Sequence, residues 1–201
     1  MVNEHWWWRP GWRPGRRMYT WHVTFASHPE VSELAARVQA RLAGLPSLDL
    51  IPGPWLHLTM QGIGFTDEVP EADITLIAEG ARKRLAAVPA PATTIGPARI
   101  AGEGVAFEVG PQDGLTAVRD ALREVIAEVR TPHAVPDPDD WTAHVSVAYA
   151  NTTGPGDAYD EALARENGTV DLLVDAVQLI VLGRDEHLYS WTTRADVPIG
   201  A

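Results

Sequence analysis

Two short apolar strings, each with a histidine two positions before a hydroxyl residue, constrain the fold of this chain most. They read His57-Leu58-Thr59 and His144-Val145-Ser146. Because alternate residues of a β-strand point to the same face, each string predicts a strand with an imidazole and a hydroxyl on one face and apolar side chains on the other. The chain must therefore bury one face of two separate strands and leave a polar pair accessible on each.

The periodicity of apolar residues around these strings predicts an α+β chain with largely antiparallel sheets. Period-two alternation and apolar runs predict strands at 18–26, 48–51, 55–65, 92–101, 104–109, 143–150, 172–182 and 187–193. Helical spacing predicts helices at 30–43, 74–85, 115–129 and 157–166. The two strings lie 87 positions apart, each within or after a strand–helix–strand unit, which suggests a weak internal duplication without a tight sequence repeat.

Residues 1–17 show neither helical nor strand periodicity and predict an N-terminal arm before a single domain at 18–201. Its stretch HWWWRPGWRPGRR, at 5–17, holds four arginines and no acid. Two interpretations stay open for Trp6-Trp7-Trp8-Arg9. The arm caps a cleft through stacking and guanidinium–phosphate contacts, or it is an extension that is disordered or packs on itself.

Composition excludes several classes of function. The 201 residues include no cysteine, so disulfides, thiolate metal sites and a cysteine nucleophile are absent. A net charge of -11 disfavours binding of long duplex DNA, whereas a small nucleotide or one RNA terminus needs only a local patch. No apolar run approaches the roughly 18 residues of a membrane span, and no signal peptide is evident. We expect a cytoplasmic monomer with no membrane partner.

Two histidines and two hydroxyls match the needs of phosphodiester chemistry. A neutral imidazole removes a proton from the nucleophile while a protonated imidazole delivers one to the leaving oxygen, and each transfer contributes ~10²–10⁴-fold. Hydroxyls that donate to the non-bridging phosphate oxygens stabilise the charge of the transition state. This scheme requires no metal and no cofactor. The run 137–140, with three aspartates, is interpreted as a solvated loop rather than a cation site.

The strings PWLHLTMQGIGF, at 54–65, and WTAHVSVAYA, at 141–150, resemble the signature of the 2H phosphoesterase superfamily, which includes 2′-5′ RNA ligase-like and cyclic phosphodiesterase proteins. The resemblance implies a pseudo-symmetric bilobal fold in which two mainly antiparallel sheets line a central cleft and helices lie outside. It also implies that His57 and His144 are the acid/base pair and that Thr59 and Ser146 bind the phosphate. The family often has proline before the second histidine, where this chain has Ala143.

Other side chains are secondary candidates for the site. His22, in a third His-x-Thr string, is predicted either to line the cleft beside the phosphate or to be an ordinary sheet histidine. Gln61 continues the His57/Thr59 face by alternation, as a substrate contact or as polar filler. By the same alternation Tyr149 falls on the apolar face. Trp141 and Trp191 either stack a base or belong to the core. No role is predicted for His5, His28, His133 and His187.

The predicted activity is hydrolysis of a 2′,3′-cyclic phosphate or a 2′-5′ phosphodiester bond of nucleotides or RNA ends. Two alternatives remain at this point. The same site could join RNA ends as a 2′-5′ ligase, or the protein could be a non-catalytic nucleotide-binding module.

Overall fold

The computed structural model describes residues 1–133, 135–136, 141–164 and 168–200. The secondary structure of this part of the chain comprises nine strands and four helices. In chain order they are β1 (Met18–Thr24), α1 (Pro29–Leu42), β2 (Leu48–Leu50), β3 (His57–Phe65), α2 (Glu71–Leu85), β4 (Ala92–Ala101), β5 (Gly104–Gly110), α3 (Gln112–Val129), β6 (His144–Ala150), α4 (Asp157–Leu163), β7 (Val170–Leu173), β8 (Ala176–Gly183) and β9 (Ser190–Pro198).

The strands form two antiparallel sheets. The first sheet has the order β3-β1-β8-β9 and the second the order β2-β6-β5-β4-β7. Helices α2 and α3 pack on the first sheet, while α1 and α4 pack on the second. This arrangement confirms the predicted α+β fold with two antiparallel sheets and helices outside. None of the helices in the described part of the chain is long and apolar enough to span a membrane.

Helical spacing explains how the outer layer is attached. In α3, Leu115, Val118 and Leu122 recur at intervals of three and four residues and are all buried. Helices α2 and α3 approach closely at Gly80, where an added Cβ would lie 2.7 Å from Cγ1 of Val125. A side chain at this position would force Val125 to shift, so the mid-helix glycine permits the close approach of the two helices.

The strand predicted at 172–182 is wrong, because this run contains the crossover between the two sheets. Strand β7 ends at Leu173 in the second sheet, and β8 begins at Ala176 in the first. Val174, at the crossing, is buried and donates its N–H to the carbonyl of Pro91 at 2.9 Å. Apolar residues continue on both sides of the crossing, while Asp175 at the crossing is exposed, so the hydrophobic pattern does not reveal the change of sheet. The helix predicted at 157–166 ends at Leu163, and residues 165–166 and the acidic run 137–140 lie outside the described residues.

The N-terminal segment, residues 1–17, packs along the body of the protein. The N–H of Val2 donates to the carbonyl of Gly154, and the N–H of His5 donates to that of Ala150, at the end of β6; both distances are 2.8 Å. All four arginines of the segment pair with acids of the body: Arg9 with Glu103, Arg13 with Asp67, Arg16 with Asp67 and Glu68, and Arg17 with Asp185. Its positive charge is therefore used to attach the segment rather than to form an open basic patch.

Candidate active site

The two motif strands meet across one cleft. Strand β3 of the first sheet lies beside β6 of the second, and the cleft between the sheets has a volume of about 590 Å³. His57, Thr59, His144 and Ser146 all line it. Side chains that are remote in the sequence thus converge on one space, because each strand presents its histidine and hydroxyl on the same face.

The two imidazoles are held in the same way. Nδ1 of His57 lies 2.8 Å from the carbonyl oxygen of Trp55, and Nδ1 of His144 lies 2.9 Å from that of Thr142. A carbonyl oxygen can only accept, so Nδ1 carries the hydrogen in both rings. Nε2 is therefore the atom of each ring that is left available to exchange a proton.

Burial makes the two histidines chemically different. The His57 residue is only 8% exposed, whereas His144 is exposed to solvent. Desolvation lowers the pKa of His57 to about 4; its hydrogen bond to the Trp55 carbonyl opposes this shift, and the nearby His144 adds to it. His57 is consequently neutral at pH 7 in the free protein.

His22 lies behind the cleft rather than in its lining. Its ring is fully buried and stacks on His57, with centroids 4.3 Å apart and planes 4° apart. Nε2 lies 3.2 Å from Oγ1 of Thr59, and Nδ1 has no hydrogen-bond partner among the described residues. Burial holds the pKa of His22 well below its usual value, so the ring is neutral and its one proton belongs on Nε2, which has a partner. The expectation that His22 touches substrate is corrected: it donates to Thr59.

Each motif strand contains a β-bulge three residues after its histidine. In the β1–β3 pair, His22 faces Thr59 and Trp21 faces Gln61, so Met60 is the extra residue. In the β5–β6 pair the corresponding extra residue is Val147, between Ser146 and Ala148. A bulge breaks the period of two, so residues beyond it no longer follow the alternation of the motif.

The first bulge removes Gln61 from the cleft. Gln61 is fully buried, and its Nε2 donates to the carbonyl of Pro136 at 2.6 Å. Arg123 of α3 donates to its Oε1 at 2.9 Å. The predicted continuation of the His57/Thr59 face through Gln61 is therefore wrong, since the side chain connects β3 to α3 and the following loop.

The second bulge has the opposite effect on Tyr149, which alternation had placed on the apolar face. Tyr149 lines the cleft, and its ring stacks on that of His5, with centroids 3.9 Å apart. Burial raises the pKa of Tyr149, so it stays a neutral phenol. The cleft near Ser146 is thus lined by a phenol, whereas Thr59 bonds to the imidazole of an adjacent strand.

Trp141 and Trp191 serve the site without forming the central core. Trp141 lines the cleft and donates its Nε1–H to the carbonyl of Thr59 at 2.9 Å. The ring of Trp191 meets that of His57 edge-on at 5.3 Å, which contributes to the burial of that histidine. Trp191 therefore acts on the chemistry of His57 indirectly.

Sequence reasoning missed three aromatic side chains of the cleft lining: His5, Trp12 and Tyr189. The nitrogens of His5 contact Glu103 and the Tyr189 hydroxyl, at 2.8 and 3.1 Å. The only sequence signal was the density of aromatic and arginine residues in the N-terminal segment. Of the four residues predicted to cap the cleft, Arg9 is in its lining, whereas Trp6, Trp7 and Trp8 are not.

The arrangement can perform two proton transfers and hold an anion between them. Two Nε2 atoms and two hydroxyls border one solvent-accessible space, as acid/base and oxyanion chemistry require. In the described part of the chain no three histidine, aspartate or glutamate side chains form a cluster that could hold a metal.

Comparison with known proteins gave matches in family and in fold. A family model described as the 2'-5' RNA ligase superfamily matches residues 27–186. Among solved structures, TT0787 of Thermus thermophilus is 16% identical with a TM-score of 0.71, covering 91% of this chain and 98% of that one. E. coli LigT complexed with NADP+ is 14% identical with a TM-score of 0.63, covering 92% and 99%. The MHV ns2 PDE domain is 10% identical with a TM-score of 0.59, covering 83% and 99%. No curated protein matched the sequence significantly.

Proposed function

The chain belongs to the 2'-5' RNA ligase superfamily of 2H phosphoesterases, and we propose that it hydrolyses 2′,3′-cyclic phosphates or 2′-5′ phosphodiester bonds of nucleotides or RNA ends. One observation carries the proposal. Two imidazoles with the same Nδ1–carbonyl hydrogen bond border a single cleft, each beside a hydroxyl. The likeness to LigT, which was crystallised with NADP+, and to a PDE domain supports a nucleotide ligand.

The difference in burial supports a proposal for the two proton transfers, with His57 as the base and His144 as the acid. His57 is neutral in the free protein, so its Nε2 takes the proton from water as the water oxygen bonds to phosphorus. The bond from phosphorus to the leaving ribose oxygen breaks, and that oxygen receives the proton from Nε2 of a protonated His144. His144 is exposed, so it can recover its proton from solvent after each turnover.

The hydroxyls stabilise the non-bridging oxygens. Because Nε2–H of His22 supplies the hydrogen bond that Thr59 accepts, the Thr59 hydroxyl hydrogen is free to donate toward the phosphate. Ser146 occupies the equivalent place beside His144 and also lines the cleft. Charge that develops on the phosphate oxygens is thereby met by two hydroxyl donors.

A panel of nucleoside 2′,3′-cyclic phosphates and 2′-5′ dinucleotides, with products identified by mass, tests the proposal. We expect a nucleoside monophosphate from the cyclic substrates, at a rate that a chelator does not change. Supplying a cyclic-phosphate end together with a 5′-hydroxyl fragment tests the ligase alternative, and a joined product would favour it. Binding without turnover between pH 5 and 8 would indicate a non-catalytic module instead.

Long RNA is the less favoured substrate on electrostatic grounds. The net charge is -11, and the arginines of the N-terminal segment pair with acids of the body. A small nucleotide or a single chain terminus needs no extended basic surface, so we expect little gain in kcat/KM as the substrate is lengthened.

A further inference from the structure

The cleft continues past the phosphate site into a recess walled by the N-terminal segment. We propose that this recess binds the nucleobase of the substrate, with Trp12 as the stacking surface and the Thr20 hydroxyl as a hydrogen-bonding group. The inference rests on the proposed function, since it takes the phosphate to lie between His57 and His144. Both recess residues precede residue 27, where the match to the family model begins.

The strand register gives the separation of the two parts. His22 pairs with Thr59, and Thr20, two residues along β1, pairs with Gly62. Two residues of strand span about 7 Å. This is the scale of one ribose ring, so a phosphate at Thr59 places the attached base beside Thr20. The cavity of about 590 Å³ is of the size that binds a whole small molecule rather than an anion alone.

The recess has the walls that a flat aromatic ring needs. Met18 and Leu182, which are paired across β1 and β8, both line it, together with Trp12. Trp12 is half-buried and is held edge-on against Phe65, with ring centroids 5.2 Å apart. An aromatic side chain fixed in this way offers a surface on which any base can stack.

Thr20 supplies an independent indication of a ligand. It is 3% exposed, lines the cleft, and its Oγ1 has no hydrogen-bond partner among the described residues. Buried hydroxyls in folded proteins nearly always have a partner, because leaving one unpaired is unfavourable. A polar atom on the edge of a bound base would provide the missing partner.

The wall of the recess combines aromatic rings with charged side chains. Arg9 lines the cleft and its guanidinium is paired with Glu103. His5 is neutral at pH 7, since burial lowers its pKa to about 4. The guanidinium of Arg184 lies over the Trp12 ring, 5.8 Å from its centroid, so the stacking surface belongs to an arginine–aromatic pair of the kind that binds bases.

Calorimetric binding of adenosine 2′-monophosphate and of inorganic phosphate tests the recess without turnover. The proteins are the full chain and its Trp12→Ala, Thr20→Val and Trp8→Ala variants; Trp8 is the matched control because it is exposed and lies outside the cleft lining. We expect the nucleotide to bind at least about tenfold more tightly than phosphate. Trp12→Ala should weaken nucleotide binding by about tenfold and Thr20→Val by less, with phosphate binding unchanged.

Two results would overturn the recess: nucleotide binding no tighter than phosphate binding, or equal weakening of both ligands in Trp12→Ala. If Trp12→Ala does not fold, the same comparison of nucleotide and phosphate binding is made with Thr20→Val, which keeps the shape of the side chain. Turnover is read separately. If nucleotide binding depends on Trp12 but no hydrolysis is seen, the proposed function is refuted and the recess stands. If hydrolysis is seen but neither variant changes nucleotide binding, the recess is refuted and the proposed function stands.

Discussion

The two halves of the cleft carry the same motif in different surroundings. In both, Nδ1 of the histidine bonds to the carbonyl two residues earlier, and a bulge follows three residues after the ring. His57, however, is buried against His22 and Trp191, while His144 is exposed. The local sequence therefore sets the geometry of each ring, and the neighbouring elements set how deeply it is buried.

The cross-strand neighbours show where the difference originates. Thr59 faces His22 on β1, whereas Ser146 faces Ala106 on β5. The first half thus gains an imidazole that supports both its histidine and its hydroxyl. The second half leaves its histidine open to water and has an alanine, not an imidazole, opposite its hydroxyl residue.

Removal of either imidazole is expected to have the largest effect. His57→Ala and His144→Ala should each lower kcat by at least ~10²-fold, because each removes one of two proton transfers. Steady-state kinetics on a nucleoside 2′,3′-cyclic phosphate provide the measurement. His133→Ala, an exposed histidine outside the cleft lining, is the control. Normal turnover in either cleft variant would contradict the paired roles.

The buried His57 should make the free energy of unfolding depend on pH. His57 has a pKa of about 4 when folded and about 6.5 when unfolded, so the unfolded state binds more protons between these values. Stability is full above about pH 6.5 and decreases as pH falls toward 4, by on the order of 3 kcal/mol from this group. Urea unfolding across this range gives the measurement. A His57→Phe variant should lose part of the dependence, and an unaltered slope would contradict the assignment.

His22→Phe should show how much the hydrogen bond from His22 to Thr59, which the second half of the cleft lacks, contributes to the rate. Phenylalanine keeps a ring stacked on His57 but cannot donate to Thr59, so kcat should fall by about tenfold with little change in KM. A double-mutant cycle with Thr59→Val tests whether His22 affects the rate through Thr59. If His22 acts through Thr59, the combined loss should be smaller than the sum of the two single losses. Fully additive losses would assign His22 a separate role.

The smallest expected effect is a shift of the pH profile. The acid limb of kcat/KM reports the free enzyme, so it should lie near pH 4, where His57 becomes protonated and stops accepting a proton. Trp191→Ala opens His57 to water, which raises its pKa and moves the limb upward. NMR titration of the histidine ring protons follows the same group directly. Trp8→Ala should leave the limb in place.

The sequence was sufficient for the features that depend on local periodicity. Helices, most strands and the two polar pairs follow from spacings of two, three and four residues, and the α+β fold with two antiparallel sheets is confirmed. Gln61 and Tyr149 were misplaced because a bulge is set by pairing with another strand, which a single strand's pattern does not record. The positions of His22 behind Thr59 and of Trp12 in the cleft lining also depend on tertiary contacts, which the local sequence pattern does not record.

The bulges have a consequence for how the two motif strands can differ. Before the bulge, the histidine and the hydroxyl residue of each strand line the cleft; beyond it, the alternation shifts by one residue. Beyond its bulge β3 contacts a helix through Gln61, whereas β6 brings Tyr149 to the cleft. An irregularity in backbone pairing thus allows the later residues of the two strands to differ while each strand keeps its histidine and hydroxyl in place.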